Sequence, residues 1–121
     1  MKDALGIPSE WKNVYIPAYV PEGYKISKTE SLVTTKIIHY SNDKSQLIVF
    51  TQYNDENTNL RIDTENAKID KVIINGVDGL IAEKDGAINI AWHNNDSTFS
   101  LISKVDKNEL LKIAGSLKMK K

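Results

Sequence analysis

The 121-residue chain has no cysteine, only two histidines and three prolines, and its sixteen basic and sixteen acidic side chains cancel. Each scarcity excludes something. Without cysteine there is no disulfide, no thiolate nucleophile and no thiolate metal site. That absence leaves the compartment open, because many exported bacterial proteins also lack cysteine. A net charge of zero supplies no dense positive field, which argues against nucleic acid as a partner. Long apolar runs are missing as well. Pro8, Glu10, Lys12, Asn13 and Pro17 interrupt the N-terminal region, so no signal peptide or membrane span is expected there, and the segment itself should not insert into a membrane. Met1 is compatible with an initiator added to a piece excised from a longer protein.

What is present fits one folded unit. Forty per cent of the residues are apolar, enough to oppose disorder. A chain of this length buries roughly two-thirds of the surface its unfolded form would expose. The pattern predicts a single domain over 1–121: a lead-in at 1–23, an antiparallel sheet at 24–103 and a helix at 106–118.

In the lead-in, Ser9 to Asn13 follow Pro8, and proline suits a first helical position, so a short N-terminal helical turn is expected. Val20-Pro21-Glu22-Gly23 carries proline second and glycine fourth, the pattern of a type I turn. From Tyr24 to Tyr53 three strands follow: Tyr24 alternates with Ile26, Thr34 to Tyr40 is rich in β-branched residues, and Gln46 to Tyr53 resumes after a polar turn. A four-residue loop, Asn42 to Ser45, would set Tyr40 opposite Leu47, Ile38 opposite Val49 and Ile37 opposite Phe50. Both faces would then be apolar, as in a sheet covered on two sides or curled around something.

Residues 54–59, NDENTN, read as a loop. Strand character returns near Lys68 with three hairpin signals: Asn75-Gly76 for a two-residue type I′ turn, Lys84-Asp85-Gly86 for a three-residue loop, and Asn95-Asp96 for a third reversal. The first register puts Ile69 opposite Ala82 and Lys71 opposite Leu80. The second puts Leu80 opposite Ile90 and Ala82 opposite Ile88, and the third puts Trp92 opposite Phe99 and Ile90 opposite Leu101. Together they predict one apolar face running from Ile69 and Ile73 through Leu80 to Trp92, Phe99 and Leu101, with Lys71 its one misfit. In Asp106-Lys107-Asn108-Glu109 the spacing predicts a capping box, and Val105 with Leu110 a hydrophobic staple. Leu110, Ile113, Ala114 and Leu117 recur at helical spacing. Lys118, Lys120 and Lys121 then complement the helix dipole or form a frayed tail.

Few residues offer chemistry. His93 lies opposite Thr98 and reads as an exposed structural histidine, since no partner is indicated that would make it a general base. His39 faces Ile48, where a core position and a ligand role both remain open. Asn54, Glu56, Thr58 and Glu65 fall at the first, third, fifth and twelfth places of a calcium-loop spacing, but Asn59 occupies the sixth, where the turn needs glycine. No nucleophile elbow, dinucleotide fingerprint or phosphate loop is present. No catalytic, metal or cofactor residue is assigned. The candidate partner or ligand contacts are Tyr15, Tyr19 and Tyr24 in the stretch YIPAYVPEGYK, with Asn54, Asp55 and Glu56. The tyrosines suit either an aromatic platform or a lid over one end of the core, rings buried and hydroxyls wet, and their alternation with Ile16, Val20 and Ile26 favours the lid.

YIPAYVPEGY, INGVDGLIAE, INIAWHNNDSTFSLIS and VDKNELLKIAGSL, in that order between Tyr15 and Leu117, resemble a domain of unknown function found outside the membrane in bacterial anti-sigma-factor-like proteins and some lipoproteins. The resemblance implies an extracytoplasmic domain, normally carried behind a membrane anchor that this sequence lacks, with no catalytic residues to transfer. It also implies a curved antiparallel sheet embracing a helix. The expected fold is therefore α+β, a curved antiparallel sheet of about six to seven strands packed on a C-terminal helix. The expected function is a non-enzymatic sensory or interaction module of a membrane-anchored regulator. The alternative is a carrier or receptor for an apolar small molecule or lipid held between sheet and helix.

Overall fold

β-Branched and aromatic residues dominate the segments between turns, and these pair into one long antiparallel sheet. The computed structural model describes Ile7, Trp11 and residues 14–53, 68–94 and 97–120. Its elements are β1 (Val14–Pro17), β2 (Lys25–Ser31), β3 (Thr35–Ser41), β4 (Leu47–Tyr53), β5 (Lys68–Ile74), β6 (Val77–Lys84), β7 (Ala87–Asn94), β8 (Ser97–Ser103), α1 (Lys107–Gly115) and β9 (Leu117–Lys120). Seven strands form an open sheet in the order β2-β3-β4-β8-β7-β6-β5, and β1 pairs with β9 in a separate two-stranded ribbon. α1 and the ribbon lie over one face, here called inner.

That face is assembled row by row, because opposed residues share a side of the pleat. Ile81, Ile90, Leu101, Phe50 and Ile38 form one row across five strands. Gly79, Trp92, Phe99 and Gln52 form the next. Leu110, Ile113 and Ala114 of α1 close over them, all fully buried. The Phe99 ring is the hub: Phe50 stacks on it at 5.9 Å, Trp92 tilts against it at 5.4 Å, and Tyr15 of β1 meets it edge-on at 5.2 Å.

Two of the three expected hairpin registers from β5 to β8 are present. Asn75 and Gly76 take φ of 50° and 83°, as a type I′ turn needs, and set Ile69 opposite Ala82. Trp92 lies opposite Phe99 and Ile90 opposite Leu101. The middle register differs. Asp85 and Gly86 alone make the turn, at φ 53° and 82°, so Ile81 rather than Leu80 faces Ile90. One residue of slip exchanges the faces of β5 and β6. Ile74 and Ile81 are therefore buried, while Ile69 and Ile73 stand exposed on the outer face beside Lys71, which is no misfit there.

The β3–β4 loop is likewise longer than expected. Five residues, 42–46, join Ser41 to Leu47, so Tyr40 faces Ile48, Ile38 faces Phe50, and His39 faces Val49 rather than Ile48. Asn42 sets the length: its side-chain oxygen accepts from the backbone N–H of Lys44 and of Gln46, both at 3.0 Å. The first turn is also shifted. Tyr24 N–H donates to Pro21 O and Gly23 has φ 92°, placing Pro21 first and glycine third, as a type II turn requires.

α1 begins as expected at Asp106, whose carboxylate accepts from the Asn108 N–H at 3.1 Å. The return half of the capping box is not made, because the Glu109 carboxylate accepts the Tyr19 hydroxyl instead. The helix ends at Gly115, short of 118. Asn75 Nδ2 donates to the Gly115 carbonyl at 3.2 Å and Ser116 Oγ to the Ile113 carbonyl at 2.7 Å, satisfying two terminal acceptors. Leu117 to Lys120 then run as β9 rather than as a frayed tail, and Lys121 lies outside the described residues. Of the helical turn expected at 9–13 only Trp11 is among the described residues, and it has no regular structure; the other four lie outside them.

Gly79 permits the close seat of Trp92. A Cβ there would meet the Ala91 carbonyl oxygen at 3.0 Å and Trp92 Cβ at 3.1 Å, with backbone on one side. Gly79→Ala should therefore destabilise by about 1–3 kcal/mol, the scale of overpacking, although alanine ordinarily gains about 0.5–1 kcal/mol over glycine in a strand. Urea denaturation decides the sign, and a stabilised variant would mean that the Trp92 seat yields freely.

Candidate functional site

The three tyrosines are engaged within the fold. Tyr15 donates its backbone N–H to Gln52 Oε1 at 2.7 Å, and Gln52 Nε2 reaches Ser97 Oγ at 3.3 Å, so a fully buried amide fastens β1 to the sheet. Ser116 Oγ accepts from the N–H groups of Ala18 and Tyr19, each at 3.1 Å. The Tyr19 hydroxyl donates to Glu109 Oε2 at 2.5 Å, and the Lys112 ammonium lies 5.7 Å from its ring centre. Glu109 raises the Tyr19 hydroxyl above its ordinary pKa, chiefly by accepting that hydrogen bond, with burial and its charge adding. Tyr24 precedes β2 at the far end of β3, and no ring contact joins it to the other two. Asn54, Asp55 and Glu56, and the calcium-type spacing with them, lie outside the described residues.

Both histidines lie on the outer face. His93 Nδ1 contacts Thr98 Oγ1 at 2.7 Å, and that hydroxyl belongs to a buried residue. His39 Nε2 meets Glu30 Oε2 at 2.6 Å, with the Lys28 ammonium 3.8 Å from the other carboxylate oxygen. An ionised carboxylate can only accept, so His39 carries its proton on Nε2. No hydroxyl is hydrogen-bonded to the His39 ring, the Ser27 hydroxyl donating instead to the His39 carbonyl, and no group of three potential metal ligands occurs, among the described residues.

The composition gave no sign of the outer sheet face. Leu47, Val49, Ile102, Ile69 and Ile73 share it, the first at 53% exposure and the last at 66%. At one end the β3–β4 loop, the β6–β7 turn and the link from β8 to α1 converge around a hollow of about 500 Å³. Leu47, Val49, Ile102 and Val105 give it an apolar lining, Tyr24 stands at its side, and Lys104 is the only charged side chain among the described residues lining it. Lys104 also borders an adjoining hollow of about 320 Å³, where Asn89 lies with its Oδ1 buried and unpartnered. The alternating run Leu47, Val49 was a signal for this surface, masked by the assumed loop length. By contrast, the space between sheet and helix is occupied by Trp92, Phe50, Phe99, Leu101, Leu110 and Ile113, all 2% exposed or less.

An open, mostly antiparallel sheet with one face covered by a single helix and a short ribbon defines an α+β domain, with no helix of the described residues long and apolar enough to cross a membrane. Residues 14–117 match a family described as Domain of unknown function (DUF4367), and the chain belongs to that family. No curated protein matches it.

The Glu30 cluster makes a pH prediction. The hydrogen bond from His39 lowers the Glu30 pKa from its ordinary 4.5, the charges of Lys28 and His39 assist, and partial burial opposes. A carboxylate depressed in the folded state contributes stability above its unfolded pKa and loses it as pH falls through the folded value. The difference in Tm between the native chain and Glu30→Gln should thus be small but constant near about pH 6 and close towards about pH 3. Thermal unfolding across that range checks it, and a gap independent of pH would show that the pair contributes nothing.

Proposed function

We propose that the domain is a non-enzymatic extracytoplasmic sensory or interaction module of a membrane-anchored regulator, and that it meets its protein partner through the outer face of the sheet. The observation that carries this reading is the exposed apolar surface of Leu47, Ile102, Ile69 and Ile73, with Val49 half-buried among them. Leu47 and Val49 share one face of β4 with Ile102 opposite Val49, and soluble monomers rarely leave contiguous apolar patches exposed unless something binds them. The extracytoplasmic and anti-sigma-factor-like setting rests on the sequence resemblance. The non-enzymatic reading is supported by the histidine contacts: one ring faces a buried hydroxyl, and the other has a carboxylate but no hydroxyl hydrogen-bonded to it among the described residues. Carriage of an apolar molecule between sheet and helix is the weaker reading, since the ligand would have to displace side chains that already fill that space.

Two measurements test it. The chain has no cysteine and Val33 is fully exposed at the β2–β3 turn, so Val33→Cys in the protein expressed from its own gene places one thiol in this domain, with the unsubstituted protein as the background. A membrane-impermeant maleimide should label it in intact cells, and labelling only after lysis would overturn the extracytoplasmic placement. Photo-crosslinking residues at Leu47 and Ile102 should capture a defined partner, whereas one at Lys107 on the helix should not. Equal capture from both faces, or none from the outer face, would refute the proposed surface.

A further inference from the structure

We propose that the hollow at the end of the sheet is a binding site for a small apolar carboxylate, an alkanoate of medium length, with its chain on Val49, Ile102 and Val105 and its carboxylate on the Lys104 ammonium. The hollow lies where three reversals of the chain converge, and at about 500 Å³ it falls within the range of roughly 300–1,000 Å³ common to small-molecule sites. Val49 and Ile102 are cross-strand partners on the outer face, so the strands hold the apolar floor rigid. Leu47 and Ile102 are 53% and 42% exposed, which leaves apolar surface for a ligand to cover.

Charge selects the ligand. Lys104 has no carboxylate within ion-pair distance among the described residues, and no other charged side chain of those residues lines the hollow. An anion would therefore gain an ion pair there, and an organic cation would meet like charge with nothing to offset it. Asp85, the one acid among the described residues bordering the adjoining hollow, follows Lys84, which borders it too. The rest of the outer face has the same bias, for the strands set Lys28, Lys71 and Lys84 there against Glu30 and Asp78. Ser45 and Gln46, which also line the hollow, add a hydroxyl and an amide, neither of which repels a carboxylate. The ligand thus combines a short apolar body with one negative end. Nothing in this depends on where in the cell the domain lies or on its protein partner.

Octanoate is the probe, with octanol and octylamine as the uncharged and cationic counterparts. In titrations of the 15N-labelled full chain, octanoate should shift the amides of Gln46, Val49, Ile102 and Val105 saturably with one-to-one stoichiometry. Lys104→Ala should weaken octanoate binding roughly tenfold, the scale of one hydrogen bond to a charged group, and leave octanol binding unchanged. Ile102→Glu should abolish it. Lys104 lies outside the packed core, so circular dichroism should show both the variant and the native chain folded. The proposal fails if octanoate produces no saturable shift, if octylamine binds as well as octanoate, or if Lys104→Ala binds like the native chain. It fails equally if the shifts centre on Trp92 and Phe99, which would place the ligand between sheet and helix. Loss of the cell-surface placement or of the protein partner would leave each of these outcomes unaffected.

Discussion

Successive side chains of a strand point to opposite faces, so the number of residues in each reversal decides which side chains share a core. In this domain that constraint acts through Asp85 and Gly86. With these two residues as the whole turn, Ile81 joins the row of Ile90, Leu101, Phe50 and Ile38, and Gly79 comes opposite Trp92. A larger residue at that position would press on the Ala91 carbonyl and on the Trp92 Cβ, so the turn parity and the aromatic cluster around Phe99 require one another. The same parity sends Ile69 and Ile73 outward. Inner core and outer surface are two results of one backbone count.

Closure of the core depends on polar groups rather than on further apolar area. Gln52, the one amide in the inner aromatic row, offers its oxygen to the backbone of Tyr15, and this contact fixes where β1 crosses the sheet. An unpaired amide at this depth would cost on the order of 1–3 kcal/mol, so the bond also dictates register between ribbon and sheet. Ser116 does the same at the helix end, taking N–H groups from Ala18 and Tyr19 while donating to Ile113. Tyr19 then takes Glu109 away from its helix cap. The proline-rich lead-in is thereby tied to both ends of α1.

The sequence made some of this legible and concealed the rest for definite reasons. Asn75-Gly76 announces its turn because few other pairs tolerate two positive φ angles, and Asp106 announces the helix because a carboxylate before an apolar period has one obvious use. The Asp85-Gly86 parity was not legible, since Val72-Ile73-Ile74 and Leu80-Ile81-Ala82 are apolar at both parities and the hydrophobic pattern cannot choose between them. Leu117-Lys118-Met119-Lys120 alternates as a strand does, but its partner lies about a hundred residues away at Val14 to Pro17, and the preceding helical period absorbs Leu117. The end hollow was hidden for a related reason. It requires three reversals to converge, and two of their lengths differed by one residue from those the turn chemistry favoured.

The outer face poses the remaining physical question. An antiparallel sheet covered on one side ordinarily presents polar residues on the other. Here α1 and the ribbon cover one face, yet the other keeps Leu47, Val49, Ile69, Ile73 and Ile102. The two sheet edges are not treated alike either: β2 is broken by a bulge at Ser27, which protects it from pairing with another chain, whereas β5 runs in unbroken register. A chain of zero net charge has little electrostatic repulsion to keep such surfaces apart. Protection at one edge combined with exposure across the face is the distribution on which the proposed docking surface rests.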